Sequence, residues 1–346
     1  MSENPLVSVI VLNYNAGELL LNCIESIKKS AYKNLEIIVV DNISTDKSQE
    51  TCKEKYPDIK LIQNNENFGY CEGNNIGIRK ARGDFIMILN PDTIVEPNCI
   101  KELIFAHEKL GEGLYQPKIL SLNEKNVIQS TGNMIHVFGF GFARDKGKQN
   151  KENNEIIEKV GYASGTCLFT SKKIFDTVGL LDEFLFLYHD DLDLGWRAAQ
   201  LGINSYYVPK SIIYHVESYS LKWSSRKFYW LERNRKYCLK THYSKETYDK
   251  MNTSLILVDL FVWLFYLSKG FLWAKIKAEL DLRKNKEFIK KKYEELEKKK
   301  KVSDKQLIKE FPDKIFVPIN VSQELMNKKF NSILTSLSKK IKNKID

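Results

Sequence analysis

The sequence predicts an α/β domain built on a mostly parallel sheet, followed by a helical appendage. From Val7 to about Tyr214, short apolar runs alternate with segments of helical periodicity. The order strand, helix, strand implies parallel pairs joined by right-handed crossovers. With 346 residues, 43% hydrophobic and 12% aromatic, the chain is long enough for one large domain and an appendage.

"VSVIVL" (7–12) reads as a strand covered on both faces, because its apolar residues do not alternate with polar ones. Leu20, Cys23, Ile24 and Ile27 then fall on one helix face, and "LEIIVV" (35–40) is a second buried strand. "IKLI" (59–62), a helix around 74–82 and "FIMIL" (85–89) continue the alternation. Ligands of open α/β sheets bind beyond the carboxyl ends of the strands, which puts Asn13, Tyr14, Asn15, Asp41 and Asp92 on one rim. The expected division is a catalytic α/β domain over 1–220, an amphipathic helical region over 221–301 and a basic tail over 302–346.

The six cysteines are scattered without a CxxC pair or zinc-like spacing, so reduced thiols used for packing and a cytoplasmic setting are expected. An acid precedes the first apolar run and no basic stretch does, so no signal peptide is expected. The formal charge is +10, and much of the excess lies late in the chain. A basic flank fits nucleic acid or an anionic membrane. The expectation is a membrane surface and no nucleic acid. In "KKKYEELEKKKK" the i,i+4 spacing of Glu and Lys also fits an ordinary solvated helix face.

The first strand is followed by "LNYNAGELL", not by GxGxxG, and the chain contains no GxxxxGK[ST] loop. A phosphate-binding α/β enzyme without a glycine cradle must neutralise its diphosphate differently, and a carboxylate-held Mg²⁺ or Mn²⁺ does so.

Five segments carry a resemblance: "VSVIVLNYN", "IIVVDNISTD", "NENFGYCEGNNIGIRKARGDFIMILNPDTIVEP", "ASGTCLFTSKKIFDTVGLLDEFLFLYHDDLDLGWRAAQLG" and "YYVPKSIIYH". Their order and spacing resemble glycosyltransferase family 2, especially its rhamnosyltransferase-like branch, over about residues 6–240. The resemblance implies a GT-A fold, a nucleoside-diphosphate sugar donor and transfer with inversion. It implies a glycan or lipid-linked saccharide as acceptor, and a deoxysugar such as rhamnose as donor sugar.

Sugar transfer passes through an oxocarbenium-like state while a nucleoside diphosphate departs, so the site needs one group for the diphosphate and another for the acceptor proton. Asp92, closing "ILNPDT", suits the first, with Asn90 where the family often has a second acid. A turn residue after proline is the alternative. "YHDDLDLGWR" (188–197) suits the second, because crowded carboxylates raise one another's pKa and make a better base. Acids at a helix N-terminus are also favoured by its dipole whatever their role. By resemblance the family's acidic pair falls on Asp190 and Asp191, with Asp191 as base and Asp190 facing the acceptor. Asp193 is expected to cap the helix or pair with Arg197. His215 reads as a structural histidine from its own surroundings and, by resemblance, as a group against the metal or diphosphate.

Asp41 and the Asn13 to Asn15 turn are expected to read the nucleoside. Gly73, Asn74 and Asn75, near a helix N-terminus, are expected to face the donor with Arg79 and Arg82 nearby. The small residues of "ASGTC" (163–167) would let a sugar approach the backbone. Residues 139–161 read as a lid or as a plain solvent loop. In "SLILVDLFVWLFYLSKGFLWAK" (254–275), Asp259 and Lys269 interrupt the apolar run. An interfacial helix at the inner face of the cell membrane is therefore expected, with an oligomer interface as the competing reading. Two other functions share the sheet: a sugar nucleotidyltransferase, whose glycine-rich signature is missing, and a non-catalytic carbohydrate-binding or scaffold protein.

Overall fold

The computed structural model describes residues 4–151, 156–216, 224–315 and 324–345. The chain divides into two compact units. The first comprises 1–133, 143–195 and 203–219, and the second 134–142, 196–202 and 220–346. The expected boundary at 220/221 lies outside the described residues, as do Lys222 and Trp223 at the head of the basic-aromatic stretch.

The first unit begins β1 (Val7–Asn13), α1 (Glu18–Lys28), β2 (Leu35–Asp41), α2 (Ser48–Lys55), β3 (Lys60–Gln63), α3 (Gly69–Lys80) and β4 (Phe85–Leu89). Then come β5 (Thr93–Val95), α4 (Cys99–Leu110), β6 (Leu114–Ser121), β7 (Ile128–Ser130) and a hairpin of β8 (Asn133–Ile135) and β9 (Gly141–Ala143). β10 (Glu158–Val160), β11 (Cys167–Ser171), α5 (Lys173–Val178), α6 (Asp190–Gln200) and β12 (Ser205–His215) complete it, except that most of the β8–β9 hairpin and the end of α6 from Trp196 count with the second unit.

Ten strands form one sheet, in the order β10-β12-β6-β11-β4-β1-β2-β3 with β5 beside β12 and β7 beside β6. β3, β2, β1, β4, β6 and β12 run one way, and β11 and β10 run against them. Val7, Val9, Ile10 and Val11 are fully buried because helices cover both faces of the central strands, which is why β1 reads as a continuous apolar run. Each such side chain contributes roughly 1.5–3 kcal/mol. The one polar residue inside that run, Ser8, is buried with its hydroxyl bonded to Glu36 and to the Gly83 N–H. All six cysteines are buried free thiols, and burial pushes the Cys23 thiol up to about 12.

Residues 139–161 are in part tied down. Arg144 donates to the Thr131 carbonyl at 2.6 and 3.0 Å and pairs with Glu158 at 2.5 Å. Residues 152–155 lie outside the described part.

The second unit is helical: α7 (Ser225–His242), α8 (Lys245–Ser268), α9 (Leu272–Lys284), α10 (Lys286–Lys299), α11 (Asp304–Glu310) and α12 (Glu324–Ile345). Its centre is ionic. Lys275, fully buried, lies 2.5 Å from Glu232, 2.6 Å from Asp259 and 2.9 Å from Glu279, and Arg235 pairs with Glu232 at 2.8 Å. Length and composition alone would let α8 cross a membrane, and only 28% of its most apolar stretch is buried. That corrects the expectation drawn from its charges. Asp259 is turned into the ionic cluster and Lys269 falls just past the last helical residue, so neither breaks the apolar surface. Ile256, Leu260, Leu264 and Leu267 stand exposed on it at helical spacing.

Candidate active site on the carboxyl rim of the sheet

Because six strands run the same way, their carboxyl ends share one rim, and antiparallel β11 brings its leading segment 163–166 to the same place. Asn13 and Asp41 are register partners at the ends of β1 and β2. Asn13 is fully buried, and its Nδ2 donates to Asp41 at 2.7 Å, to Ser48 at 2.9 Å and to Ser44 at 3.0 Å. Its Oδ1 accepts from the Ala16 N–H at 3.3 Å. The Asn13 amide is therefore spent on building the turn and does not present itself to a base. Asp41 accepts in addition from the Ser44 N–H at 2.9 Å. What the turn offers outward is Tyr14, 48% exposed, beside Asn15, which holds a left-handed φ of 53° and accepts from the Thr45 N–H at 2.7 Å. Ser44 and Ser48, which make this network, were not singled out by the sequence. Their signal is the run of small hydroxyl residues after Asp41.

Gly73, Asn74 and Asn75 lie in the second turn of α3, where N–H groups bond the preceding turn. The expectation that their N–H groups face the donor is corrected accordingly. The N–H groups of Tyr70 and Cys71, which do open the helix, are met by the Phe186 carbonyl at 2.6 and 3.3 Å. Asn75 exchanges two hydrogen bonds with the Leu181 backbone, at 2.9 and 3.0 Å, so it is a bracket for that loop. Asn74 donates to the Tyr70 carbonyl at 2.9 Å and its Oδ1 is buried without a hydrogen-bond partner. Arg79 and Arg82 are paired with Glu72 and Glu36, which removes the free positive charge expected beside the donor.

Asn90, Pro91 and Asp92 form the turn after β4, closed by the Thr93 hydroxyl donating to the Asn90 carbonyl at 2.7 Å. Asp92 is 7% exposed, and its Oδ2 lies 3.3 Å from Nε2 of His215, the last residue of β12. Pairing of β12 with β5 brings the two together, His215 being the partner of Thr93. Gln129 on β7 grips the histidine twice. Its Nε2 donates to the His215 carbonyl at 2.9 Å, which fixes the amide, and its Oε1 then faces Nδ1 at 2.7 Å. Nδ1 must carry a proton to meet that oxygen, so in the neutral ring Nε2 is the nitrogen that keeps a lone pair, beside Asp92.

A divalent cation fits this pair. Two ligand atoms at about 2.1 Å from one ion, about 90–109° apart, are roughly 3.0–3.4 Å from each other, which matches the observed separation. Among the described residues no third His, Cys, Asp or Glu ligand lies with them. The remaining positions would fall to donor oxygens and water. The carboxylates Glu232, Asp259 and Glu279 of the helical unit also cluster, but the Lys275 ammonium bonds all three.

Asp190 and Asp191 open α6. Three residues just before them, Phe186, Tyr188 and His189, hold φ values of 61°, 67° and 62°. Left-handed backbone at non-glycine residues costs roughly 1 kcal/mol or more each and concentrates where a loop is shaped for function. Asp191 Oδ2 accepts from the Gly165 N–H at 2.9 Å and Oδ1 from the Leu192 N–H at 2.8 Å. Burial raises the pKa of both acids, and Asp190 also feels the Asp191 charge, so it is held well above the ordinary carboxylate range. The Gly165 and Leu192 N–H groups counter that rise at Asp191, and the two acids titrate as a pair. Asp193 is fully buried in the first turn of the helix.

Segment 163–166 joins the two acidic stations. Asn90 N–H donates to the Thr166 carbonyl at 3.0 Å on one side, and Gly165 N–H donates to Asp191 on the other. The Tyr70 hydroxyl donates to the Gly165 carbonyl. A Cβ at Gly165 would sit 3.0 Å from that hydroxyl and 3.1 Å from Asp190 Oδ2, so a larger residue would push both side chains by a few tenths of an ångström.

A parallel sheet with acids on the rim, one antiparallel strand inserted beside β4 and no glycine cradle defines a GT-A fold. The comparisons agree. The fold matches GalNAc-T7, crystallised with UDP, GalNAc and Mn²⁺, at a TM-score of 0.57 and 18% identity, over 71% of this chain and 49% of that one. It matches residues 1–349 of S. aureus TarS at 0.51 and 16% identity, over 97% and 90%. Residues 8–179 match the family model of glycosyl transferase family 2. The low-salt glycan biosynthesis hexosyltransferase Agl10 of Haloferax volcanii is 30% identical over 205 residues, 57% of this chain and 63% of the relative. An N-acetylglucosaminyl-diphospho-decaprenol L-rhamnosyltransferase of Mycobacterium tuberculosis is 27% identical over 237 residues, 62% of this chain and 77% of the relative.

Proposed function

We propose that the protein is an inverting glycosyltransferase that moves a sugar from a nucleoside diphosphate to a hydroxyl of a glycan or lipid-linked saccharide, at the inner face of a membrane. The observation that carries this reading is the link from Asp92 through Asn90, Thr166 and Gly165 to Asp191, which sets a diphosphate station and a proton-accepting station on one rim. The relatives named as a hexosyltransferase and an L-rhamnosyltransferase support a hexose or a deoxyhexose such as rhamnose as the donor sugar. The exposed apolar face of α8 supports the membrane setting.

In this reading Tyr14, Asn15 and Asp41 receive the nucleoside, while Asn90, Asp92 and His215 stand at the diphosphate. Mg²⁺ or Mn²⁺ held by Asp92 and His215 would supply positive charge to the departing diphosphate. Asp191 accepts the proton of the acceptor hydroxyl as its oxygen bonds to the anomeric carbon from the face opposite the leaving group. The bond from that carbon to the diphosphate oxygen breaks, its electron pair leaves with the nucleoside diphosphate, and the anomeric configuration inverts. Asp190, protonated, is placed to donate a hydrogen bond to the acceptor.

The test is nucleotide release from UDP-, GDP- and dTDP-sugars, with and without Mg²⁺ or Mn²⁺ and with a saccharide acceptor. Nucleoside diphosphate released together with a longer saccharide is the expected outcome. Pyrophosphate from a nucleoside triphosphate and a sugar phosphate would identify a nucleotidyltransferase instead. Sugar binding with no turnover on any donor would leave a non-catalytic protein of the same fold.

A further inference from the structure

The helical unit carries a charged groove none of whose lining residues belongs to the site described on the sheet rim. α7, α9 and α10 enclose a groove of about 390 Å³ whose charged lining is Lys240, Arg283, Lys286 and Lys290 against a single acid, Glu279. That acid is already spent, since it bonds Lys275 at 2.9 Å and also Lys236. Among the described residues neither Lys240 nor Arg283 has a carboxylate within 4.0 Å. Lys286 and Lys290 reach Glu287 and Glu294 only at 4.0 Å, between exposed groups where such pairs are worth little. Burial and the nearby Lys236 push the Lys240 ammonium down, as expected of a cation held without its counter-charge.

Four cations around one cavity, with Arg283, Lys286 and Lys290 open to solvent, set up a positive potential that favours an anion. A guanidinium fork with several mobile ammonium groups around it matches a tetrahedral, multiply charged group better than a single carboxylate. The floor is apolar, made by Leu282 and Ile289. We propose that this groove binds a phosphoryl group, either as a soluble phosphate or as the headgroup phosphate of a lipid.

The test uses the full chain in EDTA, which silences cation-dependent binding at the sheet rim. Titration with inorganic pyrophosphate reads the soluble source. Flotation with phosphatidylcholine vesicles, with and without phosphatidic acid, reads the lipid source. The double variant R283Q/K286Q should weaken whichever interaction the unmodified chain makes by about tenfold, and K286R should not. Phosphatidic acid-dependent flotation that pyrophosphate displaces assigns the site to lipid. Titration heat without a gain on phosphatidic acid assigns it to soluble phosphate. Equal binding by the unmodified chain and R283Q/K286Q, or binding of neither probe by the unmodified chain, overturns the proposal.

Discussion

Gln129 holds His215 by both of its amide atoms, donating to the histidine carbonyl at 2.9 Å and facing its Nδ1 at 2.7 Å. The second contact dictates the tautomer, so Gln129 acts on the diphosphate station through the ring it orients. Partners of this kind change metal affinity by about 10–100-fold when removed. Gln129→Ala should weaken Mn²⁺ binding within that range, read by the free-ion electron paramagnetic resonance signal without any substrate. Gln129→Glu keeps an acceptor at Nδ1 but loses the donor to the His215 carbonyl, and should recover only part of it. Unchanged Mn²⁺ affinity in Gln129→Ala would remove the positioning role.

The acid pair makes opposite predictions for activity and stability. Asp191→Asn should lower turnover by about 10²–10⁴-fold, the usual worth of a general base, with donor affinity within about twofold. Because burial raises the pair's pKa, transfer should fall as pH drops through a limb lying above the ordinary Asp value of 3.8. For stability the sign is reversed. A carboxyl whose folded pKa exceeds its unfolded one contributes stability at low pH that is lost as pH rises through the folded value. Asp190→Asn should therefore lose activity yet raise the melting temperature at neutral pH by about 2 °C or more. It should give no such gain below pH 3.8, where both states hold the proton. A lower melting temperature at neutral pH would refute the burial cost assigned to Asp190.

The sheet was legible because strands covered on both faces need unbroken apolar runs, and β1, β2 and β4 are written that way. The acids of the rim were legible as well, since a charged residue directly after such a run has little structural reason to be there. What the sequence concealed depends on contacts between distant segments. Gln129 and His215 are 86 residues apart, Asn13 and Ser48 are 35 apart, and no periodicity links either pair. From its place near a helix N-terminus Asn75 is expected to face the donor, and only the fold reveals that the Leu181 backbone takes both ends of its side chain. The charge inside α8 misled for a related reason, because its partner Lys275 lies on the next helix.

Gly165 gives a direct probe of the segment between the two stations. Gly165→Ala puts a methyl group 3.0–3.1 Å from the Tyr70 hydroxyl and Asp190, tighter than ordinary contact. Relief takes a shift of a few tenths of an ångström by the Tyr70 hydroxyl and the Asp190 carboxyl, which moves the acid pair beside the Gly165 N–H, and misplacement of about 1 Å in a reacting geometry sets an upper bound on the order of 10²-fold. Turnover should drop, by at most about that factor, while far-ultraviolet circular dichroism is unchanged. Full activity in this variant would show that the segment does not position the base.

Membrane attachment is testable on α8 and the residue that follows it in exposure, Trp273, which is 79% exposed. A leucine leaving an apolar interface for water loses about 1.5–3 kcal/mol, close to tenfold or more in partitioning. Leu260→Ser/Leu264→Ser should reduce flotation with phosphatidylcholine vesicles by about 10²-fold, and Trp273→Ala should reduce it further. A chain that floats equally well with all three changes does not use this face.

The ionic centre of the helical unit predicts an acid transition of its own. Burial opposes the charge of Glu232, but Arg235, Lys275 and Lys236 hold its carboxyl down to about 2, against an ordinary 4.5. A depressed folded pKa means stability that is present above the unfolded value and lost as pH falls through the folded one. The difference of about 2.5 units corresponds to about 3 kcal/mol. Urea unfolding of the intact chain, followed by a probe on Trp230 or Trp263, should lose about that amount between pH 5 and pH 2. Lys275→Met leaves Glu232, Asp259 and Glu279 without the ammonium they share, and breaking a buried ion network this way costs about 3–5 kcal/mol. The acid sensitivity should shrink in the same variant, since the Glu232 carboxyl would titrate nearer its unfolded value. An undiminished loss between pH 5 and pH 2 in Lys275→Met would assign that transition to other groups.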